Sequence, residues 1–186
     1  MHWPTEDDRA ELNISPLPPR VLDLLEAERA PPRLVAHLTL VHDVSVRLLH
    51  ALGPLRVDGS LVRFGAATHD VGKARVLAEL SQPGRTHEAL GETLLLEAGF
   101  DASSARFART HGVAPDDPSL SLEDLLVQAA DTLWKGRRDA SLDAAIVRHL
   151  GEPAWQHFLT WDELADALTS TAVDRLAWQR RFPLSR

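Results

Sequence analysis

Between Arg33 and Leu52 the apolar residues Leu34, Leu38, Val41, Val44, Leu48 and Leu52 recur close to every 3.6 positions, the spacing that lines one face of an α-helix. Gly53 and Pro54 supply its stop. A shorter helix precedes it: Val21, Leu22, Leu24 and Leu25 follow the boundary at Pro16 to Pro19, and Pro31-Pro32 ends the run. Residues 1–19 read as a loose lead-in. The segment Leu61 to Asp70 (LVRFGAATHD) is small and apolar nearly all round. That suits a helix at the centre of a bundle, and it carries His69 and Asp70 into the interior.

After a turn-rich stretch at Ser81 to Arg85, the pattern predicts a helix over Glu88 to Ala98, ended by Gly99, and another over Ser103 to Thr110, ended by Gly112. Asp116 to Ser119 reads as a loop. Ser121 with Asp124 three residues on is a helix-start signature. Leu122, Leu125, Leu126, Ala129, Ala130 and Leu133 then extend an apolar face to Trp134, so a strong helix carries Asp131. From Ser141 onward, Ile146, Leu150, Phe158, Leu164, Leu168 and Leu176 predict two or three more amphipathic helices. No alternating strand pattern of useful length and no internal repeat appears, so the expected fold is an all-α bundle of about seven to ten helices.

Composition narrows the function classes. The 186 residues suit one domain, and 44% apolar with 25% charged residues describes a chain that folds. A net charge of -7 argues against holding long nucleic acids by general phosphate neutralisation, while small anions stay accessible through local basic residues. Without cysteine, any metal must be held by nitrogen and oxygen ligands, so a site would be built from His and carboxylate. No signal peptide and no apolar run of about 18 residues is evident, which makes a cytoplasmic, membrane-free protein the expectation.

Which of the nine histidines sit on apolar faces beside carboxylates then becomes the question. His37 lies on the most regular helix, His69 ends the apolar one beside Asp70, His87 precedes a helix, His111 ends another, and Asp131 sits on the inner face of a late helix. His42 competes with His37, but five residues rotate the two side chains about 140° apart, so only one can face a common site. His37 is favoured, and His42 next to Asp43 reads as part of a polar edge. Asp131 on an apolar face needs a partner to offset its desolvation, either a metal or an arginine. Lys135, Arg137 and Arg138 could bind phosphate or simply complement the dipole at the C-terminus of their helix. The five tryptophans read as packing residues, with Trp134 the exception to test.

In their order on helices, His37, His69-Asp70 and Asp131 resemble the H…HD…D signature of the HD-domain phosphohydrolases. Thr68 to Lys73 (THDVGK) resembles the family's HD-[IV]-G-K segment, and Ala129 to Asp131 (AAD) its final aspartate helix. The resemblance implies an HD-type helical bundle with a core over 33–138 and a C-terminal helical extension over 141–186. His87 in THEALG and His111 in RTHG resemble the two added histidines of the subset that holds two metals. The metal ligands implied are therefore His37, His69, Asp70, His87, His111 and Asp131, with Asp70 bridging the ions. One ion in place of two is the open alternative.

The resemblance implies one or two divalent ions (Fe, Mn, Ni, Co, Zn or Mg) and hydrolysis of a phosphomonoester or phosphoanhydride in a nucleotide or similar small phosphorylated molecule. A metal-held hydroxide would be the nucleophile. Asp70 and Lys73 would be catalytic, and Lys73, Lys135, Arg137 and Arg138 would hold the phosphate. Two other readings compete: a non-catalytic HD-fold nucleotide-binding or regulatory module, and a helical scaffold with incidental histidines. The Trp- and Leu-bearing C-terminal helices could make a homodimer surface.

Overall fold

The computed structural model describes residues 2–53, 56–151 and 153–185, and among them every regular element is a helix, with no strand. Helix α1 (Glu6–Ala10) and α2 (Pro19–Ala27) lead into the longest element, α3 (Pro32–Leu52). Pro32 starts α3 in the first turn, where a missing N–H costs no intrahelical bond, and Gly53 takes φ 70° at its end. Pro54, expected to complete that stop, lies outside the described residues. Next come α4 (Gly59–Thr68), 3-10 turns at Val71–Ala74 and Leu77–Leu80, α5 (Thr86–Glu97), and the single turns α6 (Ala102–Ala105) and α7 (Phe107–Thr110). Helices α8 (Leu122–Leu133), α9 (Ala140–Leu150), α10 (Ala154–Ser170) and α11 (Ala172–Arg180) complete the bundle.

Two apolar clusters flank α3 and α4. Ala36, Leu40, Val41 and Val44 of α3 pack with Ala66, Phe107, Leu125 and Ala130 on one side. Leu34 and Leu38 pack with Ala67, Val71, Leu94 and Leu95 on the other. Burying one such Leu or Val stabilises the fold by about 1.5–3 kcal/mol, so the polar residues along the seam between the clusters need not carry the bundle. Small residues let α4 reach that seam: a side chain at Gly65 would begin 2.5 Å from the Phe107 ring.

The lead-in departs from expectation. Residues 2–19 are not loose: Thr5 and Asp8 form a capping box for α1, and Ile14 and Leu17 are buried. The reason is tertiary. Asp43 Oδ1 accepts from the Ser15 amide at 2.9 Å, Arg47 donates to the Asn13 carbonyl at 2.8 Å, and Trp178 Nε1 donates to the Asp8 carbonyl at 2.8 Å. The single helix expected over Ser103 to Thr110 is two turns that meet at Arg106, whose guanidinium is held by Asp124 at 3.1 Å. The C-terminal third makes three helices. Buried Arg175 of α11 ties α10 and α11 to α8 by donating to the carbonyls of Leu133, Trp134 and Leu168, capping the end of the helix that carries Asp131. Trp161 and Trp178 are buried as expected, whereas Trp155 is 64% exposed. No helix among the described residues is long and apolar enough to cross a membrane.

Candidate metal centre

Six side chains from five parts of the chain converge at the seam. His37 comes from α3, His69 and Asp70 from the end of α4, His87 from the first turn of α5, His111 from the residue after α7, and Asp131 from α8. Close packing of the backbone allows this. A Cβ at Gly72 would collide with the His87 carbonyl oxygen and lie 2.6 Å from the Gly91 nitrogen, so glycine lets the turn after Asp70 lie directly on α5. Gln128 on α8 anchors the His111 segment by donating to the Thr110 and Val113 carbonyls at 2.8 and 3.0 Å.

Local hydrogen bonds orient the imidazoles. His69 Nδ1 is 3.1 Å from the Ala66 carbonyl, His111 Nδ1 is 3.2 Å from the Phe107 carbonyl, and His87 Nδ1 is 2.5 Å from Glu79 Oε2. Each acceptor fixes a proton on Nδ1 and leaves the Nε2 lone pair pointing inward. His37 and His69 bring their Nε2 atoms to 3.3 Å, and so do His87 and His111. Two nitrogens bound to one ion at about 2.0–2.1 Å stand roughly 2.9–3.4 Å apart, so each pair has the spacing of ligands to a shared cation.

Asp70 joins the pairs. Its Oδ2 lies 3.0 Å from His37 Nε2 and its Oδ1 lies 3.1 Å from His87 Nε2 and 3.5 Å from His111 Nε2. Oδ1 is buried and makes no hydrogen bond. A buried carboxylate oxygen left that way is costly unless a cation takes its lone pairs. His37, His69 and Asp70 form one group able to hold an ion, and Asp70, His87 and His111 a second. Asp131 Oδ1, 3.6 Å from both His37 Nε2 and His69 Nε2, borders the first. Imidazole and carboxylate donors without thiolate suit Mn, Fe, Co, Ni or Zn.

The electrostatics favour the ligating form at His37, His111, Asp70 and Asp131 and oppose it at His87. Burial favours the neutral imidazole at His37 against the pull of Asp70, and burial together with His69 lowers His111 to about 4. At His87 burial is outweighed by Asp70 and Glu79, which raise it. Burial opposes ionisation of Asp70 and Asp131, but His69, His37 and their other partners hold both carboxyls below the usual range. Clusters of perturbed groups beside a cavity are found at functional sites and also in structural ion-pair networks, so the geometry of the donors carries the assignment.

Sequence reasoning missed two residues. Glu79 accepts from His87 Nδ1 and from the amides of Thr86 and His87, so one carboxylate orients a candidate ligand and caps α5. It sits on a 3-10 turn with no periodic signal, and eight residues separate it from His87. Arg33 is the other: it joins His37, Asp70, Lys73, Asp131, Trp134 and Lys135 around a cavity of about 220 Å³. His42, expected on a polar edge, is instead buried away from this cavity, because α3 is covered on nearly every face. Lys73 donates to Asp70 at 2.6 Å and Lys135 to Asp131 at 3.0 Å. Arg138 does not face the cavity; Asp143, Asp162 and Asp166 hold it at 2.7–2.8 Å. Arg137 is exposed and is not among the lining residues.

Fold and site together define an all-α protein with a His–Asp cluster able to hold two ions. The HD domain family model matches residues 32–134, and the chain belongs to that family, whose members are generally metal-dependent hydrolases. An uncharacterized protein of Methanocaldococcus jannaschii is 30% identical over 129 residues, which cover 61% of this chain and 73% of the relative. No solved structure matches significantly.

Proposed function

We propose that this protein hydrolyses a phosphomonoester or phosphoanhydride bond in a nucleotide or similar small phosphorylated molecule, with divalent metal as cofactor. The observation that carries the reading is the buried Asp70 carboxylate, whose two oxygens face two separate histidine pairs. Bound ions would polarise the phosphoryl oxygens and lower the pKa of water. His37, His69, Asp70 and Asp131 would hold one ion, and Asp70, His87 and His111 the other. In the reaction, water's oxygen bonds to phosphorus, the bond from phosphorus to the leaving oxygen breaks, and its electron pair stays on that oxygen.

Lys73 and Lys135 supply the cations nearest the reacting group. Each is paired with a site carboxylate, which fixes its ammonium at the cavity wall before substrate arrives. Leu34, Leu80 and Trp134 furnish apolar wall that excludes water. The cavity is smaller than the roughly 300–1,000 Å³ of common ligand sites, so it admits the phosphoryl end of a substrate and leaves a larger remainder outside.

Lys73→Ala tests the assignment. Turnover of a generic phosphate ester should fall about 10²–10³-fold, as for loss of one charge-stabilising donor. Metal content should stay unchanged. Loss of the metal in that variant, or undiminished turnover, contradicts the role given to Lys73.

A further inference from the structure

Of the three cations that line the cavity, Lys73 and Lys135 each have a carboxylate partner, whereas Arg33 has none among the described residues. Its hydrogen bonds go to the C-terminal main chain. Nε donates to the Phe182 carbonyl at 2.6 Å, Nη2 donates to the Arg180 carbonyl at 3.0 Å, and the Arg33 amide donates to the Pro183 carbonyl at 3.0 Å. Carbonyls satisfy donors without cancelling charge. A guanidinium has five N–H groups, so three remain after these two side-chain bonds. Partial burial and the neighbouring Arg180 both work against the charged form. A cation kept protonated in such a place gains most from an anion.

Arg33 is also well placed. It precedes His37 by four residues on α3, so the two side chains share a face one turn apart, about 6 Å along the axis. Gln179 on α11 lines the same cavity and adds a neutral amide. The two carbonyl bonds fix the guanidinium before any ligand arrives, which reduces the ordering that binding would require.

We propose that Arg33, with Gln179 on the same wall, forms a second anion subsite that receives the non-reacting phosphoryl group of the substrate. The substrate class is then a phosphoanhydride or bisphosphate with at least two phosphoryl groups. This rests on the phosphohydrolase reading, with the reacting phosphoryl group at the His–Asp cluster.

The test compares methylphosphonate, phosphonoacetate and methylenediphosphonate, none of which offers a P–O–P bond to cleave, by calorimetry on manganese-loaded protein. Wild type should bind methylenediphosphonate more tightly than either other probe. Arg33→Gln should weaken methylenediphosphonate on the order of 10–100-fold, as expected for lost charge-assisted bonds, and leave methylphosphonate within about twofold. Metal content should not change. Equal weakening of both probes would place Arg33 at the reacting group and overturn the proposal, as would no weakening of either. Phosphonoacetate binding as tightly as methylenediphosphonate would overturn the phosphoryl assignment. Should Arg33→Gln fail to fold, Arg33→Met is read the same way, since it keeps an aliphatic stem but removes the charge: an intact preference for methylenediphosphonate contradicts the proposal. Failure of wild type to retain manganese or bind methylphosphonate counts instead against the phosphohydrolase reading.

Discussion

Asp70 is the residue on which the two candidate ligand groups meet, and residues that touch no ion orient those candidates. Glu79 holds the His87 ring at 2.5 Å, and His87 in turn holds the carboxyl of Glu79 down to about 2. Glu79→Gln should weaken metal binding about 10–100-fold without unfolding the chain, checked by competition with a calibrated chelator. Unchanged affinity would mean that His87 needs no orienting partner. His42 permits a second prediction. Burial lowers its pKa to about 4 from an unfolded value near 6.5, and its Nδ1 has no hydrogen bond. Between those values the unfolded chain binds more protons, so stability should fall as pH drops through this window, by on the order of 3 kcal/mol from this residue. His42→Leu should remove that part of the acid sensitivity in urea melts from pH 6.5 to 4.5, and identical pH profiles would contradict it. The sequence distinguishes His37 from His42 only through phase, and it misplaces His42 because a helix buried on nearly all sides has no polar edge.

At the scale of elements, α3, α4 and α8 were legible from apolar pattern and local signals, whereas α5 begins at Thr86 and takes in His87, and the segment before His111 is two turns in place of one helix. Helix α3 runs from proline to glycine, α8 begins with the Ser121–Asp124 capping box, and α4 is apolar nearly all round. The 3-10 turns over Val71–Ala74 and Leu77–Leu80, and the ordered lead-in, were not legible, because distant partners hold them and no periodicity marks them. Gly72 shows how such a turn is specified. Gly72→Ala places a methyl against α5 backbone, which cannot move aside as a side chain could. The expected outcome is destabilisation of about 1–3 kcal/mol, with His87 displaced and metal affinity reduced together. Denaturant melts and metal titration check it; wild-type values in both would show that the turn and α5 separate freely.

Across the whole molecule, apolar clusters on both sides of the seam hold the bundle, while the seam concentrates groups that favour a cation. The C-terminal extension belongs to this arrangement: Arg175 caps α8 behind Asp131, and the tail carbonyls hold Arg33 at the cavity. Neither contact is visible in the sequence, since both join positions far apart in the chain. The central claim, that the His–Asp cluster is a two-ion centre, is tested most directly by elemental analysis of untagged wild type and of Asp70→Ala. The account predicts about two ions per chain in wild type, and in the variant loss of bound metal and of phosphate-ester hydrolysis with little change in helical content. A wild-type protein that holds no metal and takes up none from added Mn, Fe, Co or Ni, or an Asp70→Ala variant with full activity, would contradict it.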